Sequence, residues 1–217
     1  MSAALLQKQF ESVLQWQPRP TPELVRTGIS EIDAATGGLP RGSLTEIFGP
    51  ASSGRTSLLV SILAAATDRQ EICALVDTED SFDPISAAAA GVRLDRLLWI
   101  RCSHNAGNAL KSLDLLIQGG GFGLVSLDLG DTPPHTTRRI SLTSWFRLRR
   151  AIENTPTVLV TVAQQSNART CASLRLECSR EGVTWSGGKP LFHGVRVRLT
   201  ASRRRTVCTP VFTAPAF

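Results

Sequence analysis

Short, unbroken apolar runs punctuate this chain at regular intervals. "SLTEIF" (43–48) and "FGLVSLD" (122–128) read as buried strands, "EICALVD" (71–77) and "LLWI" (97–100) as further strands, the latter short, and "TVLVTVA" (157–163) as a strand rich in β-branched residues. Between them the pattern lengthens to a helical period. "TSLLVSILAAAT" (56–67), "PISAAAAGV" (84–92), "AGNALKSLDLLIQ" (106–118) and "TTRRISLTSWFRLRRAIE" (136–153) read as helices. Pro84 opens the second, Gly91 closes it, and "GGGFG" stops the third. Strands alternating with helices predict an α/β fold with a mostly parallel sheet flanked by helices. After residue 170 the texture changes. "SLRLEC" (173–178), "GVRVRLT" (194–200) and "RTVCTPVFT" (205–213) predict an antiparallel C-terminal extension of one sheet edge. At the other end, Leu6, Phe10, Val13 and Leu14 share one face of an amphipathic helix over 5–17, and "PRPTP" (18–22) follows as a stiff linker. So short a helix needs a surface to dock on, either its own domain or a neighbouring subunit. The expected organisation is an N-terminal helix and Pro-rich linker over 1–22 and one domain over 23–217.

At 217 residues and 42% hydrophobic, the chain can bury a real core, and disorder is not its default. No apolar run is long enough to span a bilayer, and "MSAALLQKQFESVLQWQ" lacks the features of a signal peptide. The expectation is a cytoplasmic chain with no membrane partner. Cys73, Cys102, Cys171, Cys178 and Cys208 are scattered, with no Cys-x-x-Cys pair, and read as small buried residues. His104, His135 and His193 are isolated, without metal spacing. The net charge of +6 hides an asymmetry: through Asp131 there are 10 Lys and Arg against 15 Asp and Glu, and from Thr132 onward 14 against 3. A preference for Arg over Lys explains the choice of cation but not the missing carboxylates. The second half is therefore a candidate surface for a polyanion.

The acidic half carries the most specific chemistry. "GPASSGRTS" (49–57) joins a buried strand to a helix, so the backbone N–H groups of Gly49, Pro50's successors Ala51, Ser52 and Ser53, and Gly54 to Ser57 can surround a phosphate at the helix N-terminus. The loop fits Gly-x-x-x-x-Gly-Lys-[Ser/Thr] except that Arg55 stands at the lysine position. Thr56 would place its hydroxyl on Mg²⁺. A guanidinium is planar and bulky where an ammonium is compact, so nucleotide binding with slow hydrolysis is the expectation. Asp128 ends an apolar strand, where it could hold Mg²⁺ through water. Glu79 follows another strand and could orient or deprotonate water. Gln164 follows "TVLVTVA" and could sense a γ-phosphate.

These blocks together resemble a family. "RTGISEIDAATGGLPRGSLTEIFGPASSGRTSL" (26–58) is similar to the nucleotide-binding core of RecA-type recombinases, as are "ALVDTEDSFDP" (74–84), "FGLVSLDLG" (122–130), "TVLVTVAQQ" (157–165) and "SLRLECSR" (173–180), in the family's order. The resemblance implies a RecA-like P-loop NTPase core, ATP and Mg²⁺ as cofactors, Glu79 as catalytic glutamate, Asp128 as the magnesium-linked aspartate and Gln164 as the residue linking γ-phosphate to DNA. It also implies homo-oligomer formation, with Arg203 the best match to a cation reaching a neighbour's nucleotide. The chain departs from the family at Arg55, in a short segment 130–139 where the first DNA loop would lie, and in a short segment after Gln164 where the second would lie. A shortened RecA-like chain of this kind resembles ImuA-type proteins. That resemblance implies a role in DNA repair, SOS-type mutagenesis and translesion synthesis, with a recombinase or translesion polymerase as partner.

The basic segment "RRISLTSWFRLRRAI" (138–152) can place Arg139, Arg147 and Arg150 on one helix face and Trp145, Leu148 and Ile152 on another. Such a cationic face is either solvated or in contact with single-stranded DNA. Arg138, Arg139, Arg147, Arg150 and Arg169 are the candidate DNA contacts. The competing expectation is a non-catalytic scaffold with a relic nucleotide site, docking on a recombinase or polymerase or regulating cell division.

Overall fold

The computed structural model describes residues 21–186, 191–203 and 206–215. The amphipathic helix expected over 5–17 lies outside the described residues. Short β1 (Leu24–Val25) and β2 (Leu39–Pro40) pair with each other and bracket α1 (Ser30–Thr36). The main elements follow as β3 (Ser43–Phe48), α2 (Arg55–Asp68), β4 (Cys73–Asp77), α3 (Pro84–Ala89), β5 (Leu97–Arg101), α4 (Ala106–Gly119), β6 (Leu124–Leu129), α5 (Pro134–Thr137), α6 (Leu142–Ile152), β7 (Val158–Ala163), β8 (Leu174–Ser186), β9 (Leu191–Arg203), β10 (Thr206–Cys208) and β11 (Val211–Pro215).

The sheet runs β10-β9-β8-β3-β7-β6-β4-β5, with β11 also paired to β9. From β8 to β5 every pairing is parallel; β8–β9, β9–β10 and β9–β11 are antiparallel. The apolar runs of the central strands share one cause, whereas edge strand β5 is only partly covered, with Leu98 45% exposed. Along β7, Val158, Val160 and Val162 enter the core under α2, while Leu159 and Ala163 enter the core under α4 and α6. A strand sandwiched in this way has no solvent face, so no polar alternation survives.

Two sequence expectations need correction. The basic segment is not one helix over 136–153. A single turn, α5, ends at Thr137, and α6 begins only at Leu142, with Ser141 as N-cap accepting from the Ser144 amide. That cap gives the backbone a local partner and starts a new helix in the middle of the periodic pattern. Arg139 therefore lies between helices, not on a face shared with Arg147 and Arg150. The antiparallel extension is also longer than its alternating runs: β8 and β9 are each 13 residues. The run expected over 205–213 is two strands, both paired with β9.

Candidate functional site at the carboxyl edge of the sheet

Strand register brings the candidate residues together. Phe48 pairs with Ala163, Leu129 pairs with Ala163, and Asp128 pairs with Asp77. The loop after β3, Gln164 after β7, Asp128 near the end of β6 and Glu79 after β4 thus leave the sheet side by side. This is the edge where parallel α/β sheets hold ligands. β3 also lies where the chain order reverses, since β4 to β7 lie to one side of it and β8 to the other.

The loop 49–54 turns sharply into α2. Gly54 is the N-cap at φ 89 and has no side chain to cap the helix, so the first amides, from Arg55 to Ser57, take no acceptor among the described residues. Gly54 is required twice, because its left-handed backbone is strained for other residues and a Cβ there would strike the Val197 side chain. At Gly49 a Cβ would strike the Cys178 carbonyl. The β8–β9 hairpin therefore presses on the loop from outside the sheet edge. Ser53 is 1% exposed and its Oγ has no hydrogen-bond partner among the described residues. Thr56, Ala51, Ser52 and Pro50 are exposed. Uncapped amides, an orphaned buried hydroxyl and an exposed Thr56 suit a polyphosphate with Mg²⁺.

Arg55 does not point into solvent. It is 5% exposed, and its Nη1 donates to the Gly130 carbonyl at 3.1 Å. Burial lowers its pKa, while the negative charges of Asp128 and Asp131 act in the opposite direction. Asp128 shares the face of α2, and its Oδ1 accepts from the Gly130 amide at 2.7 Å. Burial pushes the Asp128 carboxyl up to about 6; Asp77 and Asp131 add to the rise, and the Gly130 amide and Arg55 oppose it. A buried carboxylate in this state favours any cation that reaches it.

Glu79 is held on both oxygens. Thr132 Oγ1 donates to Oε1 at 2.8 Å, and His104 Nδ1 lies 2.6 Å from Oε2. The turn carrying Glu79 is braced by Asp77, which is fully buried and accepts from the Ser81 and Phe82 amides and the Trp99 indole. Gln164 is half-buried and its side chain makes no hydrogen bond among the described residues.

Of the basic candidates, Arg138 and Arg169 line one cavity of about 320 Å³ with Gln165, Ser166 and Asn167. Arg138 donates to Gln165 Oε1 at 2.9 Å. Arg139 and Arg150 are exposed. Arg147 is turned to α4, where its Nε lies 3.5 Å from Asp114 Oδ1. Arg203 donates to the Thr36 carbonyl of its own chain at 3.5 Å. Register sets it below the loop: Ser202 pairs with Arg175 and Thr45 with Leu174, so Arg203 is level with the lower part of β3.

Sequence reading missed Glu46, His104 and Thr132. Glu46 is 1% exposed on central β3; its Oε1 accepts from the Asn167 and Ala168 amides at 2.5 and 2.7 Å, and its Oε2 from Ser166 Oγ at 2.6 Å. It fixes the short loop after β7. The signal was present: a carboxylate inside a six-residue buried strand must have strong partners.

Comparison with known proteins places this chain among relatives. The family model described as RecA N-terminal domain matches residues 6–132. Protein RecA of Deinococcus radiodurans is 32% identical over 158 residues, covering 65% of this chain and 43% of that protein. Protein RecA of Chloroflexus aurantiacus is 30% identical over 204 residues, covering 85% and 55%. Protein RecA of Ectopseudomonas oleovorans is 29% identical over 216 residues, covering 83% and 61%. The chain thus spans about half the length of the curated relatives it matches.

Proposed function

The chain belongs to the RecA family, and on that premise we propose that it is a RecA-like ATP-binding protein of DNA repair or recombination that turns nucleotide over slowly and contacts single-stranded DNA or a recombinase filament. The observation that carries the reading is the convergence, at one sheet edge, of an uncapped helix N-terminus, Asp128 and Glu79, beside a cavity lined by Arg138 and Arg169.

The loop amides at 55–57 would hold the phosphates, and Thr56 and Asp128 would hold Mg²⁺, whose chemistry is to neutralise charge on the phosphate oxygens. Glu79, fixed by Thr132 and His104, would orient a water. Gln164, without a side-chain partner among the described residues, would contact the nucleotide's outer phosphate. Arg55 carries the charge a lysine would supply, but its guanidinium is engaged with Gly130, which supports binding with slow turnover. The cavity between the α5–α6 break and the loop fixed by Glu46 would receive the DNA backbone, with Arg139 and Arg150 as outlying cations. The shortened segments 130–139 and 164–172, and the amphipathic pattern over 5–17, fit an ImuA-type accessory role beside a recombinase or translesion polymerase better than autonomous filament formation.

The test is binding of Mg-ATP and of a fluorescent single-stranded oligonucleotide over a salt series. We expect both to bind, with DNA affinity falling steeply with salt and the log–log slope shrinking by about 1.4 in Arg138→Ala/Arg169→Ala. A flat salt response overturns the DNA contact, and no nucleotide binding overturns the whole reading.

A further inference from the structure

His104 has no role in the scheme above beyond touching Glu79, and its surroundings assign it one. It sits in a turn closed by the Asn105 amide on the Cys102 carbonyl at 3.0 Å. The two central residues, Ser103 and His104, both have positive φ, 48° and 61°. Such turns favour Gly, Asn and Asp, and left-handed backbone is strained for other residues. The surroundings hold the strained turn from three sides. The His104 amide donates to the Thr78 carbonyl at 2.8 Å, the Ser103 amide donates to Asp80 Oδ1 at 3.2 Å, and Asn105 caps α4 by accepting from the Asn108 amide. Asp80 is itself left-handed, at φ 58°. The strain has one visible product: an imidazole that is 71% exposed, with its Nδ1 against Oε2 of a Glu79 side chain only 15% exposed.

We infer that His104 is a positioning residue whose protonation state sets the charge facing Glu79, making turnover at this site pH-dependent through the histidine titration. The inference rests on Glu79 acting on the attacking water, as proposed above. A neutral ring with hydrogen on Nδ1 donates to Oε2 and leaves Glu79 anionic and basic. A protonated ring keeps that bond, adds a full positive charge beside the carboxylate and lowers its basicity. Thr132, on the opposite oxygen, does not titrate, so the switch is on one side only. The hydrogen bond to Glu79 raises the His104 pKa, and the negative charges of Glu79, Asp80 and Asp77 act in the same direction. Arg101 is paired with Asp80 at 3.2 Å. The raised pKa means that the ring facing Glu79 becomes neutral at a higher pH than an ordinary histidine would.

Two measurements on the full chain test this. The first is an NMR titration of the His104 ring in wild type and Glu79→Gln. The pKa should fall toward the ordinary value of about 6.5 in the variant; an unchanged titration overturns the pairing. The second is the pH profile of ATP turnover, in the Arg55→Lys background if wild type is too slow. Turnover should rise with pH through the His104 titration. His104→Asn, which keeps a neutral donor, should flatten that inflection and keep the alkaline rate, while His104→Ala should lose about 2- to 10-fold, the worth of one hydrogen bond. The same inflection in His104→Asn overturns the inference. Absence of turnover in every chain, with the NMR shift present, instead overturns the hydrolytic reading on which the inference rests.

Discussion

Arg55→Lys tests the central departure of this site. In the wild type a guanidinium that is 5% exposed donates to the Gly130 carbonyl at 3.1 Å. A hydrogen bond from a charged donor contributes about 1.5–3 kcal/mol. Where meeting a phosphate pulls Nη1 off that carbonyl, the contact opposes nucleotide binding by about 10- to 150-fold. A lysine ammonium is compact and its stem flexible, and it offers no fixed fork to bridge loop and strand end. Arg55→Lys should therefore tighten Mg-ATP by at least about tenfold and raise turnover by about 10²-fold, the usual worth of one preorganised donor at developing charge. The assays are titration with a fluorescent nucleotide and continuous phosphate release. Glu79→Gln in the Arg55→Lys background should bind equally well and turn over nothing. Urea unfolding without nucleotide provides the control, because losing the Gly130 bond should cost the variant about 1.5–3 kcal/mol. A stable, folded Arg55→Lys chain that binds no tighter than wild type would refute the idea that the Gly130 contact restrains the loop.

Two further outcomes follow from the same physics. Glu46→Ala should cost about 3–5 kcal/mol in urea unfolding, because it strands the Asn167 and Ala168 amides and the Ser166 hydroxyl, and hydrogen exchange at those two amides should accelerate. Burial would raise the Glu71 pKa, but hydrogen bonds from Arg69 and Arg41 outweigh it and hold the carboxylate below its ordinary range. A depressed carboxylate stabilises the fold above its unfolded pKa of about 4.3 and loses that contribution as pH falls through its folded value; melting temperatures from pH 7 to 3 should fall less in Glu71→Gln, which starts lower, than in wild type.

Particular elements show how far sequence patterns reach. β3, α2, β7 and the loop between Gly49 and Gly54 were legible because each depends on neighbours in the chain: an unbroken apolar run, a helical period, glycines at a fixed interval. The break between α5 and α6 was not, because the apolar spacing continues across it and only the Ser141 cap interrupts the helix. The lengths of β8 and β9 were missed for a related reason. Beyond their register with β3 they pair with each other and pass close to the loop 49–54 at Cys178 and Val197.

By itself the sequence determined which residue types were available to the site and the order of elements that would carry them, since local periodicity, turn chemistry and a motif of fixed spacing are properties of short stretches. Tertiary structure alone decided the partners. It set Arg55 on Gly130, Glu79 between Thr132 and His104, and Glu46 under the loop after β7, contacts spanning 75, 53, 25 and roughly 120 residues. No local pattern encodes such pairs. They follow from strand register, which lines up chain segments by their apolar faces and leaves the polar groups at the strand ends to find one another across the edge of the sheet.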